Sequence, residues 1–110
     1  MELSYASRRL EKIFNSDKEL IRAYGTRAKK IRQRKNELEE APALDTIAKL
    51  PALRLHPMLG DRKGQWSIDI LKNWRLFFTI NHKPIPYLKV GGVDLSLVIK
   101  ITIVEVEDPH

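Results

Sequence analysis

The sequence predicts an α+β fold in which N-terminal helices pack on one face of a small twisted antiparallel sheet. Three observations carry this. Ser16 to Glu19 has the spacing of a capping box ahead of a helical repeat, the stretch from Trp66 to Ile80 alternates with period two, and Leu97 to Val106 is apolar on both faces around Val98, Ile99, Ile101, Ile103, Val104 and Val106. Helical periodicity comes first and strand periodicity afterwards, the order expected of helices segregated from a sheet.

Taken in order, Glu2 to Tyr5 reads as a short edge strand and Ser7 to Asn15 as a first helix with Leu10, Ile13 and Phe14 facing inward. After the capping box, Ile21, Tyr24, Ala28, Ile31 and Leu38 recur at near-helical spacing, which predicts one long helix to about Glu40. Gly25 costs on the order of 1 kcal/mol there relative to alanine, so it marks either a kink or a second start capped by Thr26. The exposed side of this helix would carry Arg22, Arg27, Lys29, Lys30, Arg32, Arg34 and Lys35. Such a stripe is more often a solvated face than a binding one.

Pro42 and Pro51 bracket a helix of at most two turns between Leu44 and Leu50. Trp66 to Leu71 and Trp74 to Ile80 then form two antiparallel strands joined at Lys72-Asn73. The segment 81–96, with Pro84, Pro86 and Gly91-Gly92, is a long connection, either an ordered flap or a mobile loop. Leu97 to Val106 is a strand apolar on both faces and therefore central. His56 and the terminal Asp108-Pro109-His110 fall just outside strands, and the sheet face away from the helices is expected to be open to water.

At 110 residues the chain is expected to form one domain, residues 1–110. No apolar run approaches the roughly 18 residues of a membrane span, and no secretory signal is evident, so a cytoplasmic protein with no membrane partner is expected. The absence of cysteine excludes disulfides and thiolate chemistry. His56, His82 and His110 lack metal-ligand spacing, so no metal or other cofactor is expected. Eight cations stand against Asp61 and Asp69 between Thr46 and Val90, so this segment alone carries the net +6 of the chain. A cluster of that kind attracts nucleic acid in a salt-sensitive, sequence-independent way. It equally describes a solvated surface.

Within it, the run from Arg54 to Ile68, together with Trp74-Arg75 and the terminal Glu107-Asp108-Pro109-His110, supplies two histidines and the cations Arg54, Arg62, Lys63 and Arg75. Those residue types suit metal-free cleavage of a phosphodiester. Histidine serves as proton donor or acceptor near neutral pH, and the cations meet phosphate and the charge that develops on it.

These residues resemble the HigB branch of the RelE-like bacterial toxins, also called plasmid maintenance killer proteins. The likeness rests on the run from Arg54 to Ile68, on Asn73-Trp74-Arg75 and on the acidic-acidic-x-His ending. It implies a microbial RNase-like fold and a type II toxin that inhibits translation by cutting messenger RNA on the ribosome. The implied chemistry is metal-independent attack of the ribose 2′-hydroxyl on the adjacent phosphorus. The resemblance also implies neutralisation by a HigA-like helix-turn-helix antitoxin, through which the complex would bind operator DNA. By the same likeness His56, Asp108 and His110 correspond to active-site positions, and Arg62, Lys63 and Arg75 to groups that bind phosphate or ribosomal RNA. Arg54 joins them as a cation of the same run.

Two positions depart from the pattern. Leu59 stands where matching members have an active-site lysine, and Pro109 replaces the tyrosine of the usual ending. They leave a second reading open: a catalytically weakened module that binds antitoxin or RNA without cleaving.

Overall fold

The computed structural model of the chain describes residues 1–108. It runs β1 (Glu2–Tyr5), α1 (Arg8–Phe14), α2 (Asp17–Tyr24), α3 (Ala28–Glu40), α4 (Leu44–Ala48), β2 (His56–Pro57), β3 (Gln65–Leu71), β4 (Trp74–Ile80) and β5 (Lys100–Glu107). Both early helices begin on serine caps. The Ser7 hydroxyl accepts from the Leu10 N–H at 3.1 Å and the Ser16 hydroxyl from the Glu19 N–H at 3.2 Å, each satisfying a donor that the first helical turn leaves unpaired.

The single long helix is corrected to two. At Gly25 the backbone takes φ 58° and ψ −128°, a region open to glycine, and a 3-10 turn from Gly25 to Arg27 separates α2 from α3. Thr26 is not the cap; Arg27 occupies that position and makes no side-chain cap hydrogen bond. The basic stripe changes too, because Arg34 is buried rather than solvated. Its Nε and Nη2 donate to the carbonyls of Asp69 and Ile70 at 2.8 and 3.3 Å, and its Nη1 to Glu37 at 2.8 Å. Those carbonyls lie where the β3–β4 register shifts between Asp69 and Leu71, so the arginine supplies donors beside a break in the ladder.

The sheet has the order β1-β5-β4-β3-β2. It is antiparallel except at one edge, where β1 runs parallel to β5. The α+β class is as expected, and the wholly antiparallel sheet is corrected to a mixed one. Leu20, Ile31 and Leu38 from the helices meet Ile68, Leu76, Phe78, Ile101 and Ile103 from the sheet in one core cluster. As expected, β5 is interior to the sheet, between β1 and β4. Of its apolar residues, however, Ile101, Ile103 and Val106 enter the core while Val104 is only half-buried; Leu97 and Ile99 precede the strand and are exposed, and Thr102, Glu105 and Glu107 lie on the side away from the helices.

The 81–96 connection is an ordered flap. Tyr87 bridges Val93, and the His82 Nε2 accepts the N–H groups of Ile99 and Lys100 at 3.1 and 3.2 Å, tying the base of the flap to the start of β5. Among the described residues no helix is long and apolar enough to cross a membrane.

Candidate functional site

Period-two alternation in β3 and β4 sends Ile68, Leu76 and Phe78 into the core and turns Gln65, Ser67, Asp69, Arg75 and Phe77 to the opposite face. Cross-strand register then builds two transverse rows. His56 lies opposite Ser67, Ser67 opposite Phe77, and Phe77 opposite Glu105, so one row crosses four strands. The next row is Asp69, Arg75 and Glu107. His56, expected just outside the strands, is instead part of the two-residue edge strand β2.

The centre of this face is closed, contrary to the expectation that it is open to water. Phe77 and Ser67 are both 0% exposed. The segment between Met58 and Gln65 brings Arg62 over the Phe77 ring, with the guanidinium carbon 3.8 Å from the ring centroid. Arg62 also donates to Gln65 at 2.8 Å, to Glu105 at 2.9 Å, and to Glu107. A cation over an aromatic face contributes about 0.5–1 kcal/mol at a partly exposed site. Burial works against the charge of the Arg62 guanidinium, but its hydrogen bonds with Glu105 and Glu107 outweigh that and raise its pKa. In return, the hydrogen bond from Arg62 holds the Glu105 carboxyl below its usual value of 4.5.

Arg54 builds the neighbouring corner twice over. Its backbone is left-handed, φ 44° and ψ 53°, a conformation uncommon for a residue with a side chain. That conformation presents its carbonyl to the Nδ1 of His56 at 2.8 Å. A carbonyl only accepts, so Nδ1 carries the proton, and whenever the ring is neutral the lone pair lies on Nε2. The Arg54 side chain meanwhile forks onto Asp69 at 3.0 and 3.2 Å, and Arg75 approaches the same carboxylate at 3.8 Å. Lys63 is exposed and makes no ion pair among the described residues.

The structure thus gathers His56, Arg54, Arg62 and Arg75 on or over one sheet face. It does not bring Asp108 to them. Asp108 is exposed and lines a cleft with Thr26, Arg27, Lys72, Asn73 and Trp74 at the β3–β4 turn. That end of β5 is three strands from β2, a separation of about 14 Å at the ordinary strand spacing. His110 and Pro109 lie outside the described residues. Leu59 is 83% exposed in the loop that carries Arg62. No group of three or more possible metal ligands occurs among the described residues.

Four residues that the sequence did not single out shape the face: Ser67, Asp69, Phe77 and Glu105. Strand alternation puts each on the outward side, but only the pairing register sets them in rows, and a register shift between Phe77 and Phe78 is needed to bring Glu105 opposite Phe77.

No protein-family model matches the chain. Over 41 residues it is 44% identical to the endoribonuclease HigB of Proteus vulgaris, a match covering 33% of this chain and 45% of that protein, less than half the relative's length. In structure it matches a YoeB/ParE toxin from Agrobacterium tumefaciens over 100% of both chains, with TM-score 0.52 and 14% identity, a likeness of fold. Over the matched segment the chain is thus similar in sequence to HigB, and along its length it has the fold of the YoeB/ParE toxin.

Proposed function

We propose that residues 1–110 act as one toxin domain, a ribosome-dependent endoribonuclease that cuts messenger RNA and inhibits translation as part of a type II toxin-antitoxin pair. The observation that supports this most is the His56 ring, held through Nδ1 by the Arg54 carbonyl, on a sheet face that also carries Arg54, Arg62 and Arg75. His56 Nε2 accepts the proton of the ribose 2′-hydroxyl as its oxygen attacks phosphorus. The phosphorus–5′-oxygen bond breaks, the departing oxygen takes a proton from His110, the acid that the resemblance implies together with Asp108, and a 2′,3′-cyclic phosphate remains. Arg54, Arg62, Lys63 and Arg75 bind phosphate. General acid and base contributions of this kind are each worth roughly 10²- to 10⁴-fold. No metal enters the scheme. The partner is a HigA-like helix-turn-helix antitoxin, which carries the complex to operator DNA, and the chain works in the cytoplasm.

A second reading has its own support. Arg62 is engaged by Glu105 and Glu107, Arg54 and Arg75 share Asp69, and Leu59 supplies no charge. A protein with its cations so occupied would bind antitoxin or RNA without cutting.

Inducing the wild type and His110→Ala in bacteria without antitoxin, then mapping new RNA 5′ ends, separates the two. Cuts within translated messages that require His110 and persist with purified protein and ribosomes in EDTA-treated, magnesium-restored buffer support the enzyme. Soluble wild-type protein that neither cuts nor arrests growth supports the binding module.

A further inference from the structure

We propose that Phe77 is a stacking subsite for one nucleobase of single-stranded RNA, uncovered when Arg62 leaves the ring. The inference rests on the RNA reading above and adds which part of the strand sits where.

Phe77 faces away from the core cluster, yet no part of it is exposed. What covers its face is a planar guanidinium 3.8 Å from its centre, and a base stacks on an aromatic side chain in the same way. The arginine sits in a segment flanked by Gly60 and Gly64, both at positive φ with open space around them, so the segment has a flexible residue on each side of Arg62.

Ser67, directly across the strand pair from Phe77, has a fully buried hydroxyl with no hydrogen-bond partner among the described residues. Buried hydroxyls are ordinarily paired, and this one lacks its partner beside the ring that a base would cover. On the other side of Phe77 stands Glu105. Its carboxylate repels phosphate but accepts N–H groups, so the base and not the backbone occupies this position. A base with an exocyclic amino group is favoured, since it offers Glu105 a donor. The phosphates then run toward Arg54, Lys63 and Arg75, and Arg62, exchanged from the carboxylates, follows them.

The test uses the full chain and a 2′-O-methyl single-stranded RNA heptamer, which cannot be cleaved, read by fluorescence anisotropy. A series of heptamers carries one abasic nucleotide at each position in turn. For wild type, one abasic position is expected to weaken binding about tenfold or more, the scale of a lost base–aromatic stack. Phe77→Leu is expected to weaken binding of the intact heptamer by a similar factor and to show no further loss at that position. Ser67→Ala is expected to fold at least as stably as wild type, because it removes an unpaired buried oxygen, and to reduce the penalty at the same position only. Should Phe77→Leu fail to fold, the Ser67→Ala comparison decides. Binding in which every abasic position costs the variants what it costs wild type overturns the subsite and leaves the RNA reading standing. A wild-type chain that binds no heptamer overturns both.

Discussion

Arg34 and Asp69 meet across the sheet: the Arg34 Nε donates to the Asp69 carbonyl at 2.8 Å from the helix side, while the Asp69 carboxylate receives Arg54 on the other face. The backbone of one residue therefore links the packing of α3 to the electrostatics of the candidate site. Replacing Arg34 with methionine keeps much of the buried volume but leaves the carbonyls of Asp69 and Ile70 without these donors. A loss of about 1–3 kcal/mol is expected in urea unfolding, the range for a buried polar group left unpaired. Faster amide exchange at the β3–β4 register shift than elsewhere in the sheet should accompany it.

Arg62→Ala uncovers the Phe77 ring and leaves Glu105 and Glu107 side by side. The expected cost is about 1 kcal/mol, from the lost cation–ring contact and a partly solvated ion pair. Equilibrium unfolding checks it; an unchanged stability would mean that the guanidinium adds nothing to the closed face.

Acid should weaken the same contact. Glu105 ionises below 4.5 in the folded chain because Arg62 hydrogen-bonds its carboxylate, so its contribution is complete at neutral pH. It is lost as the pH falls below 4.5 and through the lower folded-state value. The stability difference between wild type and Glu105→Gln is therefore expected to be constant around neutrality and to shrink below 4.5. Urea midpoints measured across that range test the sign.

Gly25→Ala separates a helical reading from the observed break. In a continuous helix alanine would stabilise by about 1 kcal/mol. At φ 58° and ψ −128° it should instead destabilise by roughly 1–3 kcal/mol, although no atom lies within 4 Å of the added methyl position. A thermal melt gives the answer directly.

Leu59→Lys restores the charge found in the resembling family. Leu59 is 83% exposed, so stability should change by less than about 0.5 kcal/mol. If the chain cuts messenger RNA as proposed, cleavage on programmed ribosomes should rise about tenfold or more, within the range for a preorganised charged group. No rise would indicate that Arg62 or Lys63 already meets the developing charge.

Local signals in the sequence determined the elements whose causes are local. Ser7 and Ser16 cap helices because their hydroxyls reach N–H groups three residues on. The alternation from Trp66 to Ile80 settles which side chains face the core once two strands pair. The tertiary structure decided what depends on residues far apart in the chain. Arg34 leaves the basic stripe because the Asp69 and Ile70 carbonyls, 35 and 36 residues away, take up its donors. Phe77 is closed off because Arg62 crosses the sheet to Glu105, 43 residues ahead. Asp108 and His56 both suit proton transfer by residue type, yet β3 and β4 stand between β2, which carries His56, and β5, whose last residue precedes Asp108. Residue type and spacing act over a few residues, whereas sheet order and register are set by which hydrophobic faces can be buried together.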